Sequence, residues 1–331
     1  MLAGLVVAAV VSVPYVALTP GPTLNTLGAP SGKPLIQITG RRTYPTTGNL
    51  NLVTVSYSGG PGTDFNIFSA LRAWLTPDDA VVPETEIYES GQTQQQVVQQ
   101  DDQLMLGSQQ DAIAAALCYL HIGFKTVIQS TVKGFPAYGV LQPGDQILAV
   151  DGTPISCQNH VLTLIQRRKP GALVSMTFIR HGTTETVSLA TKDVSRKAMV
   201  GIQLAYDFPF SVKINLPGVG GPSAGLMFAL GIIDKLTPDN LTGGRFIAGT
   251  GEIVGTGETG ATGSVLPIGG IQQKMAGARS AGATIFLTPV LNCPDTVGAV
   301  PAGLRLVKVS SLAGAIAELE AIQKGEPVPS C

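Results

Sequence analysis

The most apolar stretch of the chain is its first. Met1 to Leu18, MLAGLVVAAVVSVPYVAL, is interrupted only by Ser12 and by the Gly4 and Pro14 positions, and the first charged side chain is Lys33. About 20 apolar residues span a bilayer as a helix, so residues 1–19 are expected to form an uncleaved transmembrane anchor. A cleaved signal peptide is the first alternative, but a small residue should then stand three places before the cut; for a cut after Ala17 that place holds Tyr15. A buried soluble helix is the second. The following TPGPTLNTLGAPSGKP is rich in turn formers and reads as an extended exit. The pattern then changes to alternation: LIQITG and LNLVTVSY, within 35–57, read as strands. Phe65 to Leu75 reads as a helix, with Phe68 and Trp74 as core residues. After the polar run Gln92 to Gln100, apolar positions recur at helical spacing through Asp102 to Leu120.

Residues 122–193 carry a different rhythm. VIQSTV is a strand, GFPAYGVLQPGDQILAVDGTPI alternates turns with the strand QILAV, HVLTLIQRR is a short helix, and VSMTFIR and TETVSLA close the unit as two strands around an HGT turn. From Val200 glycine becomes frequent. Strands are expected at GIQLAY, SVKINL, RFIAGTGEIV and ATIFLTP, and helices at Ala224 to Leu236, Ile271 to Ala281 and Ser311 to Gln323. Such a mixture points to layered α+β or α/β architecture.

Charge narrows the function. Net charge is −1 and no long basic run occurs, so no field exists to hold nucleic acid. Charged residues are 13% of the chain, about half the usual share, yet turn-rich sequence continues to the end, which excludes an all-helical membrane bundle and a disordered chain. The cysteines Cys118, Cys157, Cys293 and Cys331 show no metal spacing; an even count behind an export segment permits disulfides. Cys293 with Cys331 is the favoured pair, with buried free thiols the alternative.

The three histidines, His121, His160 and His181, form no HExxH, and no GxxxxGK[ST] loop is present, so neither a zinc site nor an ATP cradle is expected. GTGETG, Gly255 to Gly260, lacks the lysine of a phosphate loop and reads as a hairpin. GVGGPSAGLMFALGIIDKL is more informative. Ser223 opens an apolar helix, where a serine is ordinarily a cap. Yet Gly221, Pro222, Ala224 and Gly225 around it would let a substrate backbone approach, and free N–H groups at a helix start can face a developing oxyanion. A nucleophilic serine needs a base, and the nearby sequence offers lysine rather than histidine. Lys274 follows a Gly-Gly turn at the start of an apolar helix; burial and the positive helix end both push an amine toward its neutral form.

These residues carry two resemblances. PAYGVLQPGDQILAVDGTPI resembles the PA-x-x-G-L-x-x-GD-x-I-x-x-V-x-G run of PDZ domains, departing at Val140, and implies a groove that takes an extended peptide as an added strand; HIGF, His121 to Phe124, is the nearest candidate for its carboxylate-capture loop. GPSAG, AGTGEI and LPIGGIQQKMAGARSAGATIFLTP together resemble the proteolytic domain of Lon proteases. That resemblance implies Ser223 as nucleophile, Lys274 as general base and Thr250 as the residue orienting the lysine, with Thr256 in reserve. Two departures stand out: Gly220 holds a place three residues before the serine that is usually acidic, and the Ser223–Lys274 spacing is lengthened by LTPDNLTGG and GTGETGATGS. Glu252 and Asp234 are candidate supporting groups, while the adjacent acids Asp101 and Asp102, and Asp78 and Asp79, read as solvated.

The whole chain resembles PDZ-containing, membrane-anchored Lon-like proteases. The expected fold is α+β: an anchor over 1–19, the front of a Lon-like domain over 34–120, an inserted PDZ domain over 122–193, and the catalytic part over 195–331. Three domains in tandem is the alternative. The implied function is an ATP-independent serine endopeptidase, without cofactor or metal, acting outside the cytoplasm on unfolded or peptide substrates, as a homo-oligomer of which a hexamer is one form. A non-catalytic PDZ adaptor with a protease-like scaffold is the competing reading, and an esterase or amidase is the third.

Overall fold

Residues 11–30, 32–216, 218–255 and 262–331 are described by the structure, a computed structural model. The expected anchor helix over 1–19 is not formed along its whole length. Residues 1–10 lie outside the described residues, and from Tyr15 the backbone is strand β1 (Tyr15–Asn25). Pro20 and Pro22 would each remove a helical hydrogen bond, whereas Val16, Ala17 and Leu18 bury against the body of the protein as a strand. Among the described residues no helix is long and apolar enough to cross a membrane.

The next elements are β2 (Ile36–Thr39), β3 (Asn49–Gly59), α1 (Ile67–Leu75), β4 (Ala80–Pro83), α2 (Glu84–Ile87) and α3 (Gln94–Tyr119). Helix α3 begins well before the expected start at Asp102, because Thr93 and Gln96 form a capping box. The polar run is therefore the solvated beginning of a long helix whose second half, Ala112 to Leu117, is buried. Helix α1 overturns the core assignment of Phe68 and Trp74: both are exposed, and it is Ala70 and Ala73 that face inward, resting with Phe65 on Ala17.

A smaller lobe follows: β5 (Lys125–Thr131), β6 (Gln146–Val150), β7 (Thr153–Pro154), α4 (Val161–Gln166), β8 (Leu173–Arg180), β9 (Thr183–Ala190), β10 (Lys192–Val194), β11 (Lys197–Met199) and β12 (Ile202–Asp207). Its sheet runs β12-β5-β6-β8-β9 around Ile128, Leu141, Ile147, Val161, Met176 and Phe178. Asp145 of the GD pair takes two hydrogen bonds from Arg180 on β8 and one from the N–H of Gln142, fixing the turn into β6. Beyond 193, β12 returns after the β10–β11 hairpin to pair antiparallel with β5 from Ile202↔Thr131 to Asp207↔Lys125. It also occupies an edge, whereas β5 is flanked on both sides. HIGF therefore leads into β5, which is not an edge strand; the edge strands of this sheet are β9 and β12.

The chain continues as β13 (Ser211–Ile214), α5 (Gly225–Leu236), β14 (Phe246–Gly249), β15 (Glu252–Ile253), β16 (Val265–Leu266), α6 (Ile271–Ser280), β17 (Ile285–Pro289), β18 (Arg305–Val309) and α7 (Leu312–Lys324). One sheet, ordered β18-β17-β14-β3-β1-β4, combines strands from both ends of the sequence. β14, β17 and β18 are mutually parallel and β14 runs parallel to β3. The front segment thus begins at Tyr15, not residue 34, because β1 pairs with β3 from Val16↔Gly59 to Asn25↔Asn51. Helix α5 is the centre of the main core: Leu226, Phe228, Leu230 and Ile232 pack among Leu50 and Leu52 of β3, Ile247 and Leu287, and Ile113 and Leu117 of α3.

Cys293 and Cys331 are joined, as favoured from the sequence, and Cys118 at the end of α3 is joined to Cys157 of the small lobe.

Candidate active site

Strand β14 stops opposite Leu52 of β3, while β3 runs on to Gly59. The β14-side edge of Val53 to Gly59 is thus left unpaired, and it forms one wall of a cleft of about 660 Å³. Helix α3 forms the facing wall with Val97, Val98, Asp101, Leu104 and Met105, and the loop Gly218 to Ala224 closes the end. Ser223 lies on that loop, just before α5 begins at Gly225. Its position is held from several sides: the Ser223 carbonyl accepts from the Gly251 N–H at 2.8 Å and from Thr250 Oγ1 at 3.0 Å, and the Pro222 carbonyl accepts from Ser108 Oγ at 2.8 Å.

Lys274 arrives from the other side, in the first turn of α6. The helix starts at Gly270, which has φ +66 and sits so close to β3 that a Cβ would come within 2.7 Å of Val55 Cγ2; only glycine meets both demands. That contact places Lys274 Nζ 2.9 Å from Ser223 Oγ and 3.4 Å from Thr250 Oγ1. The lysine is 4% exposed. Burial pushes its amine down to about 7; desolvation supplies this shift, because the charged form loses its water. Thr250, fully buried, accepts from Lys274 and donates to the Ser223 carbonyl, so one hydroxyl ties the two side-chain positions together.

The four flanking residues divide. Gly221 and Pro222 line the cleft, but the Gly221 N–H is spent on the Asp101 carbonyl at 3.1 Å, and Pro222 has no N–H. Ala224 lines the cleft although it is buried. Gly225 does not open the site to a substrate backbone: a Cβ there would meet Ile253 Cγ2 at 2.9 Å, so its smallness serves the packing of α5 against the Thr250–Ile253 segment. Asp234 is buried at the far end of α5, where it accepts from the Leu241 N–H at 2.6 Å, and Glu252 is half-buried; neither lines the cleft. Thr256 lies outside the described residues, as does the GTGETG turn beyond Gly255.

Asp101, read from the sequence as solvated, is exposed and lines the cleft. Its side chain occupies the space a side chain at 220 would need, since a Cβ on Gly220 would lie 2.5 Å from Asp101 Cβ. Burial, and then the neighbouring Asp102, push its carboxyl above the usual range, and Asp101 in turn helps raise the Tyr57 phenol, after burial. Asp101 and Lys274 are the acidic and the basic residue of the cleft lining. The usable signal was the missing side chain at 220. No group of three or more potential metal ligands occurs among the described residues.

Residues 95–191 match the PDZ domain family and residues 188–319 match the Lon protease (S16) C-terminal proteolytic domain. The chain is thus a mixed α/β protein carrying a PDZ domain and a Lon-type proteolytic domain. Among curated relatives, it is 29% identical over 227 residues to the Lon protease of Syntrophomonas wolfei, covering 64% of this chain and 27% of that one. It is 39% identical over 131 residues to Lon protease 2 of Thermus thermophilus, covering 38% and 15%. Against Lon protease 2 of Herpetosiphon aurantiacus it is 40% identical over 88 residues, covering 25% of this chain and 10% of the relative. The chain thus spans between 10% and 27% of the length of these relatives. The PDZ domain of an SdrC-like protein from Listeria monocytogenes is 25% identical, with a TM-score of 0.23, covering 24% of this chain and 86% of that one.

Proposed function

We propose that the protein is an ATP-independent serine endopeptidase with a Ser-Lys dyad. The observation that carries this reading is the 2.9 Å contact between Lys274 Nζ and Ser223 Oγ, made by an amine that burial holds near neutrality. An uncharged Lys274 keeps a lone pair for the Ser223 hydroxyl proton, so Oγ attacks the substrate carbonyl as the proton moves to Nζ. The developing oxyanion faces the N–H groups of Ser223 and Ala224 at the start of α5, since that of Gly221 is bonded to the Asp101 carbonyl and that of Gly225 to the Pro222 carbonyl. The ammonium then protonates the leaving amine, giving an acyl-enzyme. Neutral again, Lys274 takes a proton from water as the water oxygen attacks the acyl carbon, and gives it to Ser223 Oγ as the C–Oγ bond breaks and the product acid leaves. Thr250 holds the amine on line throughout. No step uses a nucleotide, metal or cofactor.

The unpaired edge of β3 receives the substrate as an added strand, and the open edge of β12 in the PDZ unit recruits unfolded or peptide chains in the same manner. In this reading the PDZ unit interrupts the Lon-type domain, supported by the one sheet that combines β1, β3 and β4 with β14, β17 and β18. The apolar residues ahead of β1 attach the protein to a membrane, with the catalytic lobe outside the cytoplasm, and the proteolytic units assemble as a homo-oligomeric ring.

The test is degradation of an unfolded model protein by the detergent-solubilised full chain, with and without ATP, beside Ser223→Ala and Lys274→Ala. Cleavage by the parent alone, indifferent to ATP, supports the proposal. Equal cleavage by all three proteins refutes the dyad, and none by any of them leaves the adaptor reading.

A further inference from the structure

Helix α1 is built the wrong way round for a surface helix. Such helices normally turn large apolar side chains inward and polar ones out. Here the inward face carries Ala70 and Ala73, while Ile67, Phe68, Leu71, Trp74 and Leu75 are all exposed. At 3.6 residues per turn these five fall within an arc of roughly 120°. Trp74 is 71% exposed and Leu75 69%. Arg72 lies on the flank, Ser69 lies on the far side bonded to Asn66, and α1 holds no acidic residue. A contiguous face of this kind, with a tryptophan in it, is suited to the boundary between lipid headgroups and acyl chains.

Its place in the fold identifies what covers it. Ser12 bridges to Asn66, the N-cap of α1, and the Val13 N–H donates to the Phe65 carbonyl at 2.8 Å. Val13 also packs into the small cluster of Ala17, Phe65, Ala70 and Ala73 on which α1 rests. The chain therefore leaves the described part of the protein beside the start of α1, and the residues it leads back to, Met1 to Val10, contain no charged side chain. Val11 and Tyr15, next to this exit, are themselves exposed apolar residues.

We infer that the outward face of α1 lies in the interfacial layer of a lipid bilayer, as a second contact beside the N-terminal apolar segment. This rests on the membrane attachment proposed above and adds to it a fixed orientation. With α1 held at the surface, β1 and β3 are held there too, and the cleft takes a set attitude to the membrane.

Trp74 is the sole tryptophan of the chain, so its fluorescence reports on α1 alone. The full chain is reconstituted into phosphatidylcholine vesicles with and without brominated acyl chains, and flotation is measured alongside quenching. The inference expects strong quenching of Trp74, reduced severalfold in the Leu71→Glu/Leu75→Glu variant, with flotation retained. Labelling of Ser223 by a small serine-reactive phosphonate at the parent rate shows that this variant is folded. Flotation with Trp74 unquenched overturns the inference and spares the anchor, whereas absence of both overturns the two together. Trp74 shielded by rising protein concentration without lipid overturns it as well, because a second copy then covers the face.

Discussion

Replacing Lys274 by methionine should remove activity and stabilise the fold at neutral pH. The amine is pushed from 10.5 down to about 7 by burial. At 1.36 kcal/mol per unit, the charged lysine of the unfolded chain resists entering the folded site by about 4–5 kcal/mol at and below pH 7. The folded state binds fewer protons than the unfolded one between those two values, so parent stability rises with pH across that window. The penalty is about 4 kcal/mol at pH 7, about 2 at pH 9 and close to nothing above 10.5. Methionine has a similar length, carries no titrating group and tolerates irregular space, although it forfeits the hydrogen bonds to Ser223 and Thr250. The assay is urea unfolding of parent and variant at a series of pH values. The stability advantage of the variant should shrink by roughly 2 kcal/mol between pH 7 and pH 9. A constant difference over that range would mean that the lysine remains charged in the fold, and the reasoning would fail.

Thr250→Val should leave the fold intact and slow Ser223 labelling about tenfold, the cost of about one hydrogen bond, whereas Thr250→Ser should recover most of the rate. Gly220→Ala should destabilise the protein by about 1–3 kcal/mol through overpacking, because the added Cβ would meet Asp101 Cβ at 2.5 Å; combining it with Asp101→Gly should restore thermal stability, and failure of that rescue would contradict the contact. Cys118→Ser with Cys157→Ser should cost about 2–4 kcal/mol and raise amide exchange at the α3–small-lobe junction, leaving exchange in α5 unchanged.

Ser223 and Lys274 were singled out because each stands at a glycine-marked junction, and such junctions constrain local geometry strongly; Thr250 was singled out through the family resemblance. Asp101 was not. An acidic pair on a polar helix has the pattern of a solvated surface, and only the pairing of α3 with the loop at 220, distant in sequence, brings it to the cleft. The first apolar run satisfies the composition of a membrane helix and of a buried strand alike; Pro20 and Pro22 argue only against a helix that continues through them. Phe68 and Trp74 were assigned to the core because large apolar residues usually are core, yet the alanines at 70 and 73 already marked the closely packed side of α1. That β12 returns to β5 after an intervening hairpin is a pairing that residue periodicity does not encode.

The central claim, that a neutral Lys274 activates Ser223, is tested most directly by the rate at which a small phosphonate labels Ser223 as pH varies, with the adduct located by mass spectrometry. An amine near 7 predicts labelling that is half-maximal about there, flat above it, and falling about tenfold per pH unit below. A rate still climbing beyond pH 9, or an adduct formed as fast in Lys274→Ala, would contradict it.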